Sequence, residues 1–502
     1  MNPNPSQADV CLVLEGTYPY IAGGVSNWSH ELIQALPELK FHLLAIVPPN
    51  ADLSPRYRLP GNVEGITHLV LQQLPLGRSR ISQAKKWFAD LEEPLMRLES
   101  HGTLPHLARI IELLAPLRKT LGRKVLLDSP EAWDLLLSMY QADFPGSSFI
   151  DYFWSWRMLV GGLYSALLPD LPRARVYHAV STGYAGLLAA RASLETGRPA
   201  LLTEHGIYTN ERRIEISMSQ WLYEKPLGRL SVDKLSKDLK DLWIDTFNNY
   251  SRICYEACSK IITIFEGNQK FQTEDGADPG KLDLIPNGID YAKFSKIQRK
   301  KSARPTIALI GRVVPIKDII TFIRACSILQ KKVPDLQAYI MGPMDEDEVY
   351  FKECQETINY LGLQNTISFT GRVKLEDKLG GIDVIVLTSI SEGQPLVILE
   401  AGAVGIPSVA TNVGACSELI LGNALESPSL GPAGSVTPLS NPAATASAIA
   451  QLLTDEGWYR QCSDTCRERV RLYYNKGDLT DRYRELYQNY LRAPELSQAV
   501  EV

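Results

Sequence analysis

Between Thr306 and Asn412 the sequence alternates short apolar runs with amphipathic segments, and this rhythm restricts the folds that the chain can adopt. The runs TIALIG, LQAYIMG, TISFTG and IDVIVLTS have the composition of buried strands, and the helical pattern DIITFIRACSILQKK follows the first of them. Strands that alternate with helices form parallel sheets that are covered on both faces. The pattern predicts a doubly wound α/β domain at residues 304–475.

The first part of the chain shows the same rhythm with a long interruption. The run ADVCLVLE predicts a strand, the loop after it ends in Gly23 and Gly24, and apolar residues then recur at helical spacing. FHLLAIVP, ARVYHAV and PALLTEHG predict further strands, whereas residues from about 72 to 171 predict a helical insertion. We therefore place another α/β domain, also Rossmann-like, at residues 1–286.

Three further segments connect or end these domains. NNYSRICYEACSKIITIF predicts a helix, and the charged segment KFSKIQRKKSARP predicts a linker between the domains. DLTDRYRELYQNYL predicts an amphipathic helix within residues 476–502, and the sequence leaves its location open.

Composition excludes several classes of function. The chain has 502 residues, and its net charge of −5 offers no general attraction to nucleic acid or to anionic lipid. Its apolar stretches are too short to span a bilayer and its first residues lack a targeting pattern, so we expect a cytoplasmic protein without a membrane span. The eight cysteines include CxxxC spacings without histidine partners, which predicts reduced thiols rather than a zinc site.

Two glutamates, Glu392 and Glu400, lie eight residues apart in SEGQPLVILE, after the strand IDVIVLTS. If the segment between them is helical, its rise separates the two carboxylates by roughly 12 Å along the axis. A nucleotide sugar matches this geometry, because one carboxylate can accept hydrogen bonds from the hexose and the other from the ribose. The diphosphate would then lie on the positive helix N-terminus at Gly393, Gln394 and Leu396.

Two cations follow the neighbouring strand TIALIG, in the loop GRVVPIKD. Arg312 offers a fixed fork of donors and Lys317 a compact point charge, a combination that stabilises negative charge on a departing phosphate. The alternative is a pair of surface charges beside a helix. The glutamate motif at the adjacent strand end favours the functional interpretation.

These residues carry a resemblance to a known family. SEGQPLVILE resembles the Glu-x7-Glu motif of family 4 retaining glycosyltransferases, and GRVVPIKD, PNGID and the early AGGV loop are similar to its other marks, in order and over nearly the whole chain. TYPYIAGGVSNWSHELI and LLTEHGIYTNERRIEI resemble more narrowly the cytosolic glycosyltransferases of bacterial Pel exopolysaccharide synthesis. The resemblance implies a GT-B fold, with two Rossmann-like doubly wound domains that face each other across a cleft. It implies no metal and no other cofactor.

The resemblance also implies roles for the motif residues. Glu392 would contact the donor hexose, Glu400 the ribose, and Arg312 and Lys317 the diphosphate. The donor would be a UDP-sugar, either UDP-glucose or a UDP-N-acetylhexosamine, bound mainly by the C-terminal domain. The N-terminal domain would bind the glycan acceptor.

Residues of the N-terminal domain would complete the donor site. Gly24, after Gly23, would offer its backbone N–H to the phosphates, and His205 would approach the hexose near the reacting carbon. A strand-end histidine bonded to a carbonyl is the alternative for His205. His178 is expected to support the site, because the family often shows His-x-His there and this chain has Val180 at the second place.

Other polar and aromatic groups have simpler explanations. Asp345, Glu346 and Asp347 precede an amphipathic helix, where we expect them to cap its N-terminus and face solvent rather than bind a metal. Trp154 and Trp156 are expected in the core rather than on a sugar ring.

The predicted activity is transfer of a hexose or N-acetylhexosamine from a UDP-sugar to a growing Pel-like exopolysaccharide. A retaining glycosidase holds its two carboxylates about 5 Å apart, so the wider spacing predicts same-face substitution in which the leaving diphosphate removes the acceptor proton. The alternatives are a GT-B nucleotide-sugar epimerase and a non-catalytic UDP-sugar-binding component of a secretion complex. The resemblance implies membrane-embedded synthase and export subunits as partners, which could recruit the protein to the inner membrane.

Overall fold

The structure is a computed structural model that describes residues 7–218, 238–300, 303–423 and 426–492. The chain divides into two compact units. The first runs to Thr263 and resumes over Gln269–Asp283 and from Tyr483 onward, and the second comprises Ile264–Asn268 and Leu284–Arg482. The charged segment 293–305 therefore lies within the second unit, and its prediction as a linker was wrong.

The first unit is built on a parallel sheet. Its strands are β1 (Ala8–Glu15), β2 (Phe41–Val47), β3 (Val63–Val70), β4 (Ala174–Ala179), β5 (Ala200–Glu204), β6 (Cys258–Thr263) and β7 (Leu282–Leu284). They lie in the order β3-β2-β1-β4-β5-β6-β7, and the pairs from β3 to β6 are parallel. The central strand β1 is almost wholly buried because helices cover both faces of such a sheet.

Ten helices accompany this sheet in the described part of the chain. They are α1 (Gly24–Ala35), α2 (Ala84–His101), α3 (Leu104–Leu114), α4 (Arg123–Leu126), α5 (Pro130–Asp143), α6 (Phe149–Leu167), α7 (Gly183–Thr196), α8 (Tyr208–Met218), α9 (Leu239–Ala257) and α10 (Gly267–Glu274). Helices α2 to α6 form the predicted helical insertion.

Two elements of the first unit differ from the sequence prediction. Strand β3 was not predicted, because it is the last strand of the sheet and only one of its eight residues is fully buried, so it lacks a continuous apolar run. The segment CSKIIT was predicted as helix and forms β6, where Ile261 and Ile262 are buried. The β-branched side chains in this segment favour a strand.

The two tryptophans of α6 lie in different environments, although both were predicted in the core. Trp156 is 1% exposed and Trp154 is 58% exposed, so the expectation of a core position holds for the first and was wrong for the second. Residues two apart on a helix point to different faces, which explains the contrast.

The second unit contains another doubly wound sheet. Its strands are β8 (Thr306–Ile310), β9 (Gln337–Met341), β10 (Ile367–Gly371), β11 (Val384–Leu387), β12 (Ser408–Thr411) and β13 (Gly434–Thr437). All neighbours are parallel and follow the order β10-β9-β8-β11-β12-β13. The helices from here to the end are α11 (Tyr291–Phe294), α12 (Ile319–Leu329), α13 (Glu348–Tyr360), α14 (Leu375–Leu379), α15 (Leu396–Val404), α16 (Cys416–Leu421), α17 (Pro442–Thr454), α18 (Glu456–Tyr473) and α19 (Lys476–Arg492). The prediction of a doubly wound domain is confirmed.

In both sheets the strand order reverses beside the first strand, between β1 and β4 and between β8 and β11. Ligands of open α/β sheets bind outside the carboxyl ends of the strands at such a reversal. The loops that follow β1, β4, β8 and β11 are therefore the expected positions of a ligand site.

Several smaller features bear on the sequence predictions. Asp347 caps α13 by accepting a hydrogen bond from the backbone N–H of Tyr350 at 2.9 Å, as expected. All eight cysteines are free and buried. Among the described residues, no group of three or more His, Cys, Asp or Glu side chains could hold a metal ion. No helix in those same ranges is long and apolar enough to cross a membrane.

Candidate functional site

An ion pair lies where β8 and β11 end in the second unit. The Nζ of Lys317 donates to Oε1 of Glu392 at 2.5 Å, and the hydroxyl of Ser389 donates to the same oxygen at 2.6 Å. The two charged side chains are 19% and 11% exposed. Within the described residues, Oε2 of Glu392 has no hydrogen-bond partner, so one carboxylate oxygen is held and the other is available.

The two loops that carry this pair are tied together by backbone contacts. The N–H of Ile390 donates to the carbonyl of Ile316 at 2.8 Å. The hydroxyl of Thr388 donates to the carbonyls of Lys317 and Asp318. These bonds hold the backbone at Lys317 against the end of β11, from which the chain continues to Glu392.

The loop after β12 packs against the backbone of Glu392 and Gly393. The N–H of Ala415 donates to the carbonyl of Gly393 at 2.8 Å. A Cβ on Gly414 would lie 2.0 Å from the carbonyl oxygen of Glu392, and Gly414 has φ of +50°. Only glycine fits there. Gly414 was not predicted as a site residue, although its place three residues after the strand SVAT was the available signal.

The helix between the paired glutamates is shorter than the sequence estimate assumed. Helix α15 begins at Leu396, four residues after Glu392, so the separation of roughly 12 Å along one helix does not apply. Glu400 lies in the second turn, where burial and the Glu376 carboxylate raise its pKa to about 7 in spite of nearby Lys293.

Gln394 has a partner of its own in the turn PNGID. Its Oε1 accepts from the N–H of Asn287 at 2.7 Å, and its Nε2 donates to the carbonyl of Asn287 at 2.9 Å. The side chain of Gln394 therefore fixes this turn. Leu396 is partly exposed and α15 has no side-chain cap at its N-terminus, so phosphate binding at Gly393, Gln394 and Leu396 stays a prediction for the backbone N–H groups.

Arg312 forms a different ion pair. It is 56% exposed and its guanidinium donates to Glu346 at 2.7 Å. The structure thus joins Lys317 to Glu392 and holds Arg312 on a surface carboxylate that the sequence analysis expected to face solvent.

A pocket of about 520 Å³ lies in the second unit at the carboxyl ends of β9 and β10. Met344, Phe351, Gly371 and Arg372 contribute to its lining. Its lining combines apolar side chains with charged ones, as ligand pockets of this size do.

Glu418, which the sequence leaves without a role, holds backbone in this unit. Its carboxylate accepts from the N–H groups of Glu266 and Gly267 at 2.9 and 2.8 Å. Its contacts explain its position without a ligand.

In the first unit, His205 directly follows β5. Burial lowers the pKa of its imidazole to about 4, so the ring is neutral at pH 7. Both ring nitrogens are buried and lack a hydrogen-bond partner among the described residues, so the alternative of a bond to a carbonyl was wrong. The ring packs edge-on to Trp28 with centroids 4.7 Å apart. A buried nitrogen without a hydrogen bond lowers the stability of the folded protein, so such a group is a candidate for binding a ligand.

His178 is fully engaged, in contrast to His205. Its Nδ1 shares a hydrogen bond of 2.6 Å with the hydroxyl of Tyr487, and its Nε2 shares one of 2.9 Å with Thr203. Burial and the neighbouring His205 lower its pKa to about 3. Because both ring nitrogens are hydrogen-bonded within the protein, His178 has no free nitrogen with which to bind a sugar donor directly. Tyr487 was not predicted as a partner of His178, because the sequence of α19 does not show what the helix packs against.

Gly23 and Gly24 start α1. A Cβ on either glycine would meet nothing within 4 Å, and α1 has no side-chain cap hydrogen bond. The N–H groups at this end are therefore open to an external acceptor, and binding of a phosphate there stays a prediction.

Comparison with known families covers most of the chain. The family described as "Domain of unknown function (DUF3492)" matches residues 8–280, more than half of the chain. The family "Glycosyl transferases group 1" matches residues 304–455, which contain the Lys317–Glu392 pair.

Curated relatives match mainly part of the chain. The D-inositol 3-phosphate glycosyltransferase of Paenarthrobacter aurescens is 35% identical over 158 residues, which is 29% of this chain and 38% of the relative. The UDP-Gal:alpha-D-GlcNAc-diphosphoundecaprenol alpha-1,3-galactosyltransferase of Escherichia coli is 26% identical over 42% of this chain and 54% of its own length. The chain thus spans about half or less of these relatives.

Solved structures match nearly the whole chain at low identity. Anabaena HepE in complex with UDP has a TM-score of 0.58 at 14% identity and covers 96% of this chain and 100% of its own. Sucrose-phosphate synthase from Thermosynechococcus elongatus has a TM-score of 0.58 at 15% identity, with 97% and 100% covered. The two parallel-sheet units and these neighbours show that the chain has the GT-B fold, as the resemblance implied.

Proposed function

We propose that this chain, which belongs to the DUF3492 family and carries a group 1 glycosyltransferase domain, is a retaining glycosyltransferase. It transfers a hexose or N-acetylhexosamine from a UDP-sugar to a growing Pel-like exopolysaccharide. Its proposed partners are membrane-embedded synthase and export subunits that receive the polymer.

The observation that carries this proposal is the Lys317–Glu392 pair at the reversal of the second sheet. Oε1 of Glu392 is held by Lys317 and Ser389, which leaves Oε2 to accept a hydrogen bond from a hexose hydroxyl. Lys317 uses one of its three N–H groups on Glu392 and has two left for phosphate oxygens. One cation thus orients the sugar-binding carboxylate and neutralises the diphosphate.

We place the base and the ribose of the donor in other parts of the second unit. The pocket at the ends of β9 and β10 is the proposed place of the base, and Glu400 is the proposed ribose ligand. The crystal structures of HepE hold UDP and UDP-glucose, which supports a uridine donor here. In the first unit, the free nitrogens of His205 support its proposed role as a hydrogen-bond partner of the hexose.

The proposed reaction proceeds on one face of the sugar. The acceptor hydroxyl attacks the anomeric carbon as the bond to the diphosphate breaks, and the hydroxyl proton passes to the departing phosphate oxygen. Lys317 stabilises the charge that develops on this leaving group. Glu392 is given no covalent role in this reaction, because its free oxygen Oε2 is the proposed acceptor of a hydrogen bond from a hexose hydroxyl.

A panel of nucleotide sugars tests the proposal. The wild-type protein should release UDP from UDP-glucose or a UDP-N-acetylhexosamine, Glu392→Ala should not, and the product's anomeric proton should show the donor's configuration by NMR. Interconversion of the free nucleotide sugars would show an epimerase. Tight binding without UDP release in the presence of acceptor would show a binding component and would refute transfer.

A further inference from the structure

Another pocket lies in the first unit, which does not contain the Lys317–Glu392 pair. It has a volume of about 410 Å³ and opens at the carboxyl ends of β2 and β3. This volume lies within the range of about 300–1,000 Å³ typical of small-ligand pockets, and the carboxyl edge of a parallel sheet is where such folds bind ligands.

The lining of this pocket is neutral. None of its nine lining residues carries a charge, although charged residues make up 22% of the chain and about two of nine would be expected. The polar groups are the amides of Asn50, Gln72 and Gln73, and the others are valine, alanine, proline and Leu53. A phosphate, carboxylate or ammonium ligand would find no counter-charge among these nine residues. Asp52 lies between two of them and accepts a hydrogen bond from the N–H of Ser54 at 2.9 Å.

The amides are presented outward. Within the described ranges, the side-chain amides of Asn50, Gln72 and Gln73 make no hydrogen bond to the chain, and all three residues are exposed. Each amide offers two donors and a carbonyl acceptor, which suits ligand hydroxyls that both donate and accept. Leu53, 41% exposed, adds an apolar surface for C–H groups.

The backbone keeps this lining in a defined shape. Asn50 and Gln72 have φ of 62° and 63°, and they are two of the five non-glycine residues with positive φ that are observed in the described ranges. Such conformations are uncommon and need support from the surroundings.

Both walls receive that support. On one wall, the N–H of Gln72 donates to the hydroxyl of Ser165 at 3.1 Å. On the other, the N–H of Ala51 donates to the carbonyl of Pro48 at 3.3 Å and closes the turn that contains Asn50. These bonds fix the backbone at both positive-φ residues.

We propose that this pocket binds a neutral oligosaccharide, whose hydroxyls pair with the amides and whose ring faces pack on Leu53. The inference rests on the proposed function in so far as the saccharide is the acceptor glycan of that reaction. Its neutral lining predicts that uncharged sugars bind in preference to uronic acids.

The test is equilibrium binding of defined tetrasaccharides to the full chain by calorimetry. The probes are the tetramers of glucose and of N-acetylglucosamine, with tetragalacturonate as the anionic comparison. At least one neutral tetramer should bind and tetragalacturonate should not. Gln73→Ala should weaken binding five- to tenfold by removing its hydrogen bonds, and Leu53→Asp should weaken it at least as much.

Two controls separate the possible failures. Gln451→Ala changes an exposed glutamine on α17 and should leave saccharide binding unchanged. Affinity for UDP should be the same in all these variants, which shows that each is folded and that the donor side is intact. Absence of binding by both neutral tetramers, preference for tetragalacturonate, or wild-type affinity in both pocket variants would overturn the inference. None of these results depends on Glu392, so a failure of the proposed transfer reaction would be seen separately.

Discussion

Replacing Lys317 by methionine removes the charge that we place on the leaving diphosphate and keeps most of the side chain's apolar stem. The ion pair with Glu392 is only 19% and 11% exposed, so it is weakly screened by solvent. Loss of one preorganised donor to a developing oxyanion typically costs about 2.7–4 kcal/mol, or roughly 10²–10³ in kcat. Lys317→Met should therefore lower the rate of UDP release from a UDP-sugar by at least about 10²-fold.

The assay needs a control for folding and one for charge. Lys331→Met removes an exposed lysine from the loop after α12 and should leave turnover unchanged. Lys317→Arg keeps the charge with a different donor geometry, so it should retain more activity than Lys317→Met. If Lys317→Met, folded by circular dichroism, released UDP within twofold of the wild-type rate, the assignment of Lys317 to the leaving group would be refuted.

Three further predictions concern stability. Arg469 and Glu426 form an ion pair that is 1% and 2% exposed, so Arg469→Met should lower the free energy of unfolding by about 3–5 kcal/mol through the unpaired carboxylate, measured by denaturant titration. Tyr487→Phe leaves Nδ1 of His178 buried without its 2.6 Å partner and should cost about 1–3 kcal/mol in the same titration. Glu400 has a pKa raised to about 7, so the folded state binds its proton more tightly than the unfolded state, and this contribution to stability should fall as pH rises from about 4.5 to 7. Glu400→Gln should remove that pH dependence.

Each of these variants has a matched partner at the surface. Arg460→Met breaks an exposed ion pair, Tyr360→Phe changes a tyrosine that is 90% exposed, and Glu353→Gln neutralises an exposed carboxylate of α13. All three should change the free energy of unfolding by less than about 0.5–1 kcal/mol. A buried variant that behaved like its surface partner would contradict the corresponding account.

Much of the fold was predictable because parallel strands are buried on both faces. Runs such as TIALIG and ADVCLVLE are therefore almost continuously apolar and were recognised as β8 and β1. The exposed strand β3 has no such run and was missed. The strand CSKIIT directly follows α9 without a turn signal, which led to its prediction as helix.

The candidate site was only partly predictable. Residue type and the order along the chain indicated Lys317 and Glu392, whose proximity depends on β8 and β11 being neighbours in the sheet. Spacing could not show that Arg312 pairs with Glu346, since that contact joins loops from two different strand ends. Nor could it show that Tyr487 meets His178, because these residues are 309 positions apart.

The most direct test of the central claim compares two ligands on one variant. Glu392 is proposed to touch the hexose and not the nucleotide, so Glu392→Gln should weaken binding of a UDP-sugar by about tenfold or more in calorimetry. It should not weaken binding of UDP, because Lys317 stays in place and loses only its carboxylate partner. Equal affinity of wild type and Glu392→Gln for the UDP-sugar, or an equal loss for UDP and the UDP-sugar, would contradict the claim.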